Sequence, residues 1–103
     1  MKTILIISAT SRNNLILAKN INAICYSLNI NTELINLEEY NIPLYTPIEQ
    51  EKSIPLVMQS IMEKFIKVEG FIICAPEYNG SIPPVLTNVI AWLSVMGDDW
   101  RLV

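Results

Sequence analysis

Strand-like apolar runs and helix-like apolar repeats alternate along this chain. Residues 3–7, Thr-Ile-Leu-Ile-Ile, form an unbroken β-branched and aliphatic run, which is typical of a strand buried on both faces. Residues 15–28 place apolar side chains every three to four positions, which predicts a helix with one buried face. Residues 32–37 alternate only loosely and carry Glu33 and Asn36 between aliphatic residues, which favours an edge strand over a central one.

The second half of the chain repeats this order after a loop that contains Pro43 and Pro47. A second helix is predicted from apolar residues at helical spacing: Ile54, Met58, Ile61, Phe65 and Val68. An apolar strand at residues 71–75 follows, and a third helix is predicted over residues 83–95. Its two prolines fall in the first turn, where the missing N–H groups cost nothing. The β-α-β-α-β-α order predicts one α/β domain over residues 1–103 with a parallel sheet.

Charge and hydropathy narrow the classes of function. The net charge is −3 and the seven Lys and Arg residues are scattered, so the chain has no electrostatic footprint for nucleic acid. Its apolar runs are far too short to span a bilayer, and no signal peptide is recognisable, so we expect a cytoplasmic protein that does not bind membranes. The chain has no histidine, which removes imidazole bases and most zinc sites. We therefore expect no metal and no catalytic side chain, and infer that a bound cofactor carries any chemistry.

Several conspicuous residues have simple structural interpretations. Cys25 and Cys74 fall on predicted core positions, where they are expected to be buried, reduced thiols. Trp92 and Trp100 are expected to be core or interface aromatics. The pair Asp98-Asp99 has no further acidic residue or histidine nearby, so a polar turn is favoured over a metal site.

The turn after the first strand, residues 8–14, is the first candidate site. Backbone N–H groups and the helix dipole make a strand-to-helix turn a natural anion site. Ser8, Thr10, Ser11 and Asn14 add hydroxyl or amide groups, and Arg12 adds a charge that can hold a phosphate. The alternative is an ordinary helix cap, since Ser, Thr and Asn are preferred there in any case.

The loop after the third predicted strand is the second candidate site. In an open α/β sheet, ligands bind just outside the carboxyl ends of the strands, and this loop lies there. Its residues are Pro76, Glu77, Tyr78, Asn79, Gly80 and Ser81. The alternative is purely structural, with Asn79-Gly80 as a tight turn, Ser81 as a helix cap and the remaining side chains in solvent.

The segment Pro76-Glu77-Tyr78-Asn79-Gly80-Ser81, followed by Pro84, Leu86 and Asn88, resembles the second signature of the NAD(P)H-dependent FMN reductase family. That family has a flavodoxin-like fold and includes azoreductase- and quinone-reductase-type enzymes. The turn after the first strand is similar to the family's phosphate loop, with matches at Thr10, Arg12 and Leu17-Ala18. Ala9 replaces the usual glycine, and the stretch between Arg12 and Leu17 is shorter than usual.

The resemblance implies a flavodoxin-like open parallel sheet in three αβα layers with strand order 2-1-3-4-5. Only the first three βα units are recognisable, so we expect strands four and five to be missing here, whether the chain is a fragment, a natural truncation or a domain that another chain completes. It also implies FMN as cofactor, with its phosphate at the first turn and its ring against the second loop. The residues implicated are Ser8, Thr10, Ser11, Arg12, Asn14, Pro76, Glu77, Tyr78, Asn79 and Gly80.

The activity implied by the resemblance is a two-step electron transfer. NADPH or NADH passes a hydride to the bound flavin, and a quinone, azo compound, free flavin or similar small molecule then takes the electrons. Family members are commonly dimeric, and the third strand would present an unpaired apolar edge, so a homodimer or homotetramer is expected. Two alternatives remain: a flavodoxin-like electron carrier that serves protein partners, and a non-catalytic remnant of the fold.

Overall fold

The computed structural model describes residues 2–97, so the predicted Asp98-Asp99 turn and Trp100 lie outside the described residues. Three parallel strands form one sheet in the order β2-β1-β3: β1 Thr3–Ser8, β2 Asn31–Asn36 and β3 Gly70–Cys74. The central position of β1 agrees with its apolar run, and β2 lies at an edge as predicted. This arrangement confirms the expected flavodoxin-like α/β class.

Within the described residues, four α-helices and one short 3-10 helix connect and cover the strands. They are α1 Asn13–Ser27, the 3-10 helix Leu37–Glu39, α2 Pro47–Lys52, α3 Leu56–Ile66 and α4 Pro84–Ser94. Helix α2 was not predicted, because its residues fall in the segment that begins as the proline-containing loop. This helix begins because the Thr46 hydroxyl accepts a hydrogen bond from Glu49 N at 3.1 Å and Pro47 occupies the first turn. The interpretation of Ser81 as a helix cap was wrong, because Pro83 occupies the cap of α4.

The helices cover both faces of the sheet, as the alternation of side chains along β1 requires. Leu5 and Ile7 point to one face, where they pack in a buried cluster with residues of α3 and α4. Ile6 points to the other face and packs against Ala18 and Cys25 of α1. The protein therefore has the three-layer αβα arrangement that the resemblance implied.

The two outer edges of the described sheet differ in character. On β2, Glu33 forms an ion pair with Lys64 of α3, and this hydrogen bond raises the pKa of Lys64. Within residues 2–97, β3 pairs with β1 alone, and Ile72 and Ile73 remain 37% and 40% exposed. The β3 edge is thus uncharged and apolar, a combination that favours association with another strand.

The predicted structural roles of the cysteines and of Trp92 are confirmed. Cys25 and Cys74 are buried and free, and burial raises the pKa of the Cys74 thiol. Trp92 is fully buried and donates a hydrogen bond from Nε1 to the Pro43 carbonyl at 2.8 Å. Its ring packs edge-to-face with the Tyr45 ring, with the ring centroids 5.0 Å apart. No helix within residues 2–97 has both the length and the apolar character needed to cross a membrane.

Candidate functional site

The turn after β1 is fixed to the end of β3 by a small hydrogen-bond network. Ser8 is fully buried, and its hydroxyl donates to the Thr10 carbonyl at 2.6 Å. Asn14 Nδ2 donates both to Ser8 Oγ at 3.0 Å and to the Cys74 carbonyl at 2.7 Å. Ala9 N also donates to the Cys74 carbonyl, at 2.9 Å. The Ser8 hydroxyl and the Asn14 Nδ2 group are thus engaged within the chain, and they support the turn from its buried side.

Arg12 stands at the cap of α1 with φ 63° and ψ −132°, a conformation that favours glycine. Such backbone strain costs on the order of 1–3 kcal/mol and tends to occur at functional positions. The Arg12 side chain is exposed and forms no salt bridge within the part of the chain described. No side chain caps α1 at this position, so the alternative of an ordinary side-chain cap finds no support in the geometry.

A second network joins this turn to the end of β2. Asn36 is 6% exposed, donates from Nδ2 to Ser11 Oγ at 3.0 Å and accepts from Glu38 N at 3.1 Å. Ser11 N in turn donates to Glu38 Oε1 at 3.1 Å. Sequence reasoning missed Glu38. It could have been found from topology, because the segment that follows β2 must lie beside the turn that follows the neighbouring strand β1.

The loop after β3 closes on itself as a two-residue hairpin turn. Tyr78 and Ser81 exchange backbone hydrogen bonds of 2.8 and 2.9 Å. Asn79 and Gly80 between them have φ values of 52° and 75°, as a type I′ turn requires. Glu77 Oε2 accepts from Gly80 N at 2.9 Å, so the carboxylate stabilises the turn. The predicted tight turn is therefore confirmed, and a Cβ added at Gly80 would meet no atom within 4 Å.

These two segments border one cleft at the carboxyl edge of the sheet. Its volume is about 440 Å³, within the range of small-molecule sites. The lining residues are Thr10, Ser11, Arg12, Asn13, Asn14, Glu38, Pro76 and Tyr78. Most of the predicted site residues thus line one cleft, although the two segments that supply them are far apart in the sequence.

The remaining predicted site residues lie around this cleft. Glu77 and Gly80 line an adjoining cavity of about 440 Å³ that shares Pro76 with the cleft. Ser8 is buried beneath the turn, and Asn79 forms the exposed tip of the hairpin. Residues 2–97 contain no group of three or more His, Cys, Asp or Glu side chains placed to hold a metal ion.

An open parallel sheet with strand order 2-1-3 and helices on both faces is the arrangement of a flavodoxin-like α/β protein. The model of the NADPH-dependent FMN reductase family matches residues 1–102, and the chain belongs to this family. The family that the two motifs indicated is therefore confirmed.

Individual relatives agree with this assignment. The chain is 39% identical over 59 residues to a quinone reductase of Escherichia coli (strain K12), covering 56% of this chain and 31% of the relative. It is 34% identical over 53 residues to a 2-hydroxy-1,4-benzoquinone reductase of Burkholderia sp, covering 52% of this chain and 28% of the relative. These alignments span about a third of each relative.

Solved structures share the fold at low sequence identity. The azoreductase from Bacillus anthracis str. Sterne matches with a TM-score of 0.74 and 18% identity, over 90% of this chain and 55% of that one. The flavoenzyme NAD(P)H:(acceptor) oxidoreductase FerB from Paracoccus denitrificans matches with a TM-score of 0.72 and 21% identity, over 89% and 50% respectively. The chain spans about half the length of these structures.

Proposed function

We propose that this chain binds FMN in the cleft between the β1 turn and the β3 loop and acts as an NAD(P)H-dependent oxidoreductase. The electron acceptor is a quinone or a related small molecule, as the names of the relatives suggest. The observation that carries the proposal is that one cleft is lined both by the polar turn that contains Arg12 and by the hairpin loop that contains Tyr78.

The donor set of the first turn suits the phosphate of FMN. Arg12 supplies an exposed positive charge, and Thr10 and Ser11 supply hydroxyl and backbone groups that line the cleft. The first helical hydrogen bond of α1 runs from Ile16 N to the Arg12 carbonyl, so the N–H groups of residues 13–15 have no helical acceptor and can serve an anion. Ser8 and Asn14 hold this turn in place.

The second loop suits a flat, polar-edged ring. Pro76 and Tyr78 present an apolar and aromatic surface to the cleft. Glu77, Asn79 and Gly80 fix the hairpin, so that its backbone stands at the same strand edge. When bound, FMN would accept a hydride from NADPH or NADH and release the electrons to the acceptor. The residues of this chain bind the cofactor and orient it.

The proposal predicts a phosphate-specific role for Arg12. Arg12→Ala should weaken FMN binding by about 1–3 kcal/mol, the scale of a lost charge-assisted hydrogen bond. Riboflavin, which lacks the phosphate, should bind with little change. Both affinities are measured by flavin fluorescence titration, with Lys19→Ala as the control because Lys19 lies on α1 but lines another cavity. Equal losses for FMN and riboflavin would contradict the assignment.

We also propose that the protein self-associates as a homodimer or homotetramer. The uncharged β3 edge, with Ile72 and Ile73 partly exposed, supports this proposal. Sedimentation at micromolar concentration should show a species larger than 11.7 kDa, and a compact monomer that unfolds cooperatively would contradict it. A cytoplasmic location stays a prediction from the sequence.

A further inference from the structure

Glu38 places a negative charge inside the cleft at the point where an anion would bind. Among the described residues that line the cleft, Arg12 and Glu38 carry the charges, one of each sign. Glu38 Oε1 accepts the hydrogen bond from Ser11 N at 3.1 Å. An N–H group of the turn that could serve a phosphate oxygen is therefore already paired with a carboxylate of the same chain.

The position of Glu38 is fixed by its neighbours. Ser8 and Asn36 face each other in the register of β1 and β2, so the segments that follow the two strands start side by side. The buried Asn36 side chain accepts from Glu38 N and donates to Ser11 Oγ. One amide group thus orients both the backbone that carries Glu38 and the residue that Glu38 contacts. The carboxylate is held at the turn by this arrangement.

This arrangement creates a competition between two anions. A phosphate at the turn would have to displace Glu38 from Ser11 N or remain beside it, and either outcome weakens phosphate binding. A neutral ligand group would not experience the same repulsion. The effect acts through charge, so it should decrease as ionic strength rises.

We propose that Glu38 is a specificity-determining residue that competes with the phosphate of the ligand for Ser11 N. Glu38 lowers the affinity of the protein for FMN relative to riboflavin, in opposition to Arg12. The inference rests on the proposed FMN site and adds a residue that restrains phosphate binding there.

The test compares Glu38→Gln with the matched control Glu39→Gln. Glu39 is the next residue of the same 3-10 helix and is also exposed, but it lines a different cavity with Leu15 and Lys19. Flavin fluorescence titrations with FMN and riboflavin are run on the full chain at low and high salt. A second measurement follows the Ser11 amide by NMR while inorganic phosphate is added.

At low ionic strength, Glu38→Gln should tighten FMN binding roughly fivefold to tenfold, the difference between a charged and a neutral hydrogen-bond acceptor. Riboflavin affinity should change less than twofold, and the gain in FMN affinity should shrink at high salt. The Ser11 amide should respond at lower phosphate concentration in Glu38→Gln than in the original chain. Glu39→Gln should change none of these quantities.

The other outcomes overturn the inference and separate it from the proposed function. If FMN binds in preference to riboflavin and Arg12→Ala removes that preference, but Glu38→Gln has no effect, the role of Glu38 is wrong and the FMN site stands. An equal gain for riboflavin or for Glu39→Gln also contradicts the role of Glu38. If neither flavin binds and phosphate leaves the Ser11 amide unmoved in every variant, both proposals are wrong.

Discussion

Asn14 connects the first and third βα units, so its replacement should destabilise the whole sheet edge at which the cleft lies. Its Nδ2 atom donates to Ser8 Oγ at 3.0 Å and to the Cys74 carbonyl at 2.7 Å. The second bond joins residues that are 60 positions apart in the sequence. Asn14→Ala removes both bonds and leaves the other contacts of the turn in place.

The expected loss follows from these two bonds. Each hydrogen bond contributes about 0.5–1.5 kcal/mol net, so Asn14→Ala should lower the free energy of unfolding by about 1–3 kcal/mol. Asn14→Asp should cost more at neutral pH, because a carboxylate oxygen would then face the Cys74 carbonyl oxygen where an N–H donor stood. FMN affinity should fall in both variants, since the turn loses its attachment to β3.

Urea denaturation followed by circular dichroism measures the change in free energy. Asn13→Ala is the matched control, because Asn13 is also an asparagine in the first turn of α1 and lines the same cleft, but is exposed to solvent. Asn13→Ala should change the free energy of unfolding by less than about 0.5 kcal/mol. If Asn14→Ala falls within about 0.5 kcal/mol of that control, the structural role assigned to Asn14 is wrong.

Three further changes test other parts of the structure. Gly80→Val should abolish flavin uptake with an almost unchanged far-ultraviolet dichroism spectrum. Gly80→Asn is its control, because asparagine tolerates the positive φ of 75° and so isolates the effect of the added side chain from that of backbone strain. Unchanged flavin affinity in Gly80→Val would mean that the loop is only a turn. Trp92→Phe should lower the free energy of unfolding by about 1–3 kcal/mol, because it removes the hydrogen bond to the Pro43 carbonyl and leaves a void. Urea titrations measure this change, with Tyr26→Phe at an exposed position as the control. Burial raises the pKa of the Cys74 thiol, so its contribution to the free energy of unfolding is present at neutral pH and is lost as pH rises through the raised pKa. Cys74→Ala should therefore reduce the loss of stability at alkaline pH. An identical dependence of stability on pH in the variant would refute this.

The sequence by itself determined the elements and the family. Unbroken apolar runs and three- to four-residue repeats are local patterns, and they predicted the three strands and the three longer helices because burial of one or both faces imposes these periods. The segment 76–81 is also local, and the positive φ values of its Asn79-Gly80 pair follow from the turn preference of these two residue types. Both halves of the candidate site could therefore be named in advance.

The tertiary structure decided how these halves meet. The parallel register sets Ser8 opposite both Asn36 and Cys74, and this pairing brings Glu38 and Pro76 to the same cleft as Arg12. Ser8 is buried for the same reason, because it lies between two neighbouring strands, and its hydroxyl supports the turn instead of facing the cleft. Helix α2 escaped notice because its six residues contribute no buried side chain, so no apolar period marked it. Contacts between residues far apart in sequence depend on strand order and register, which side-chain periodicity within one segment does not encode.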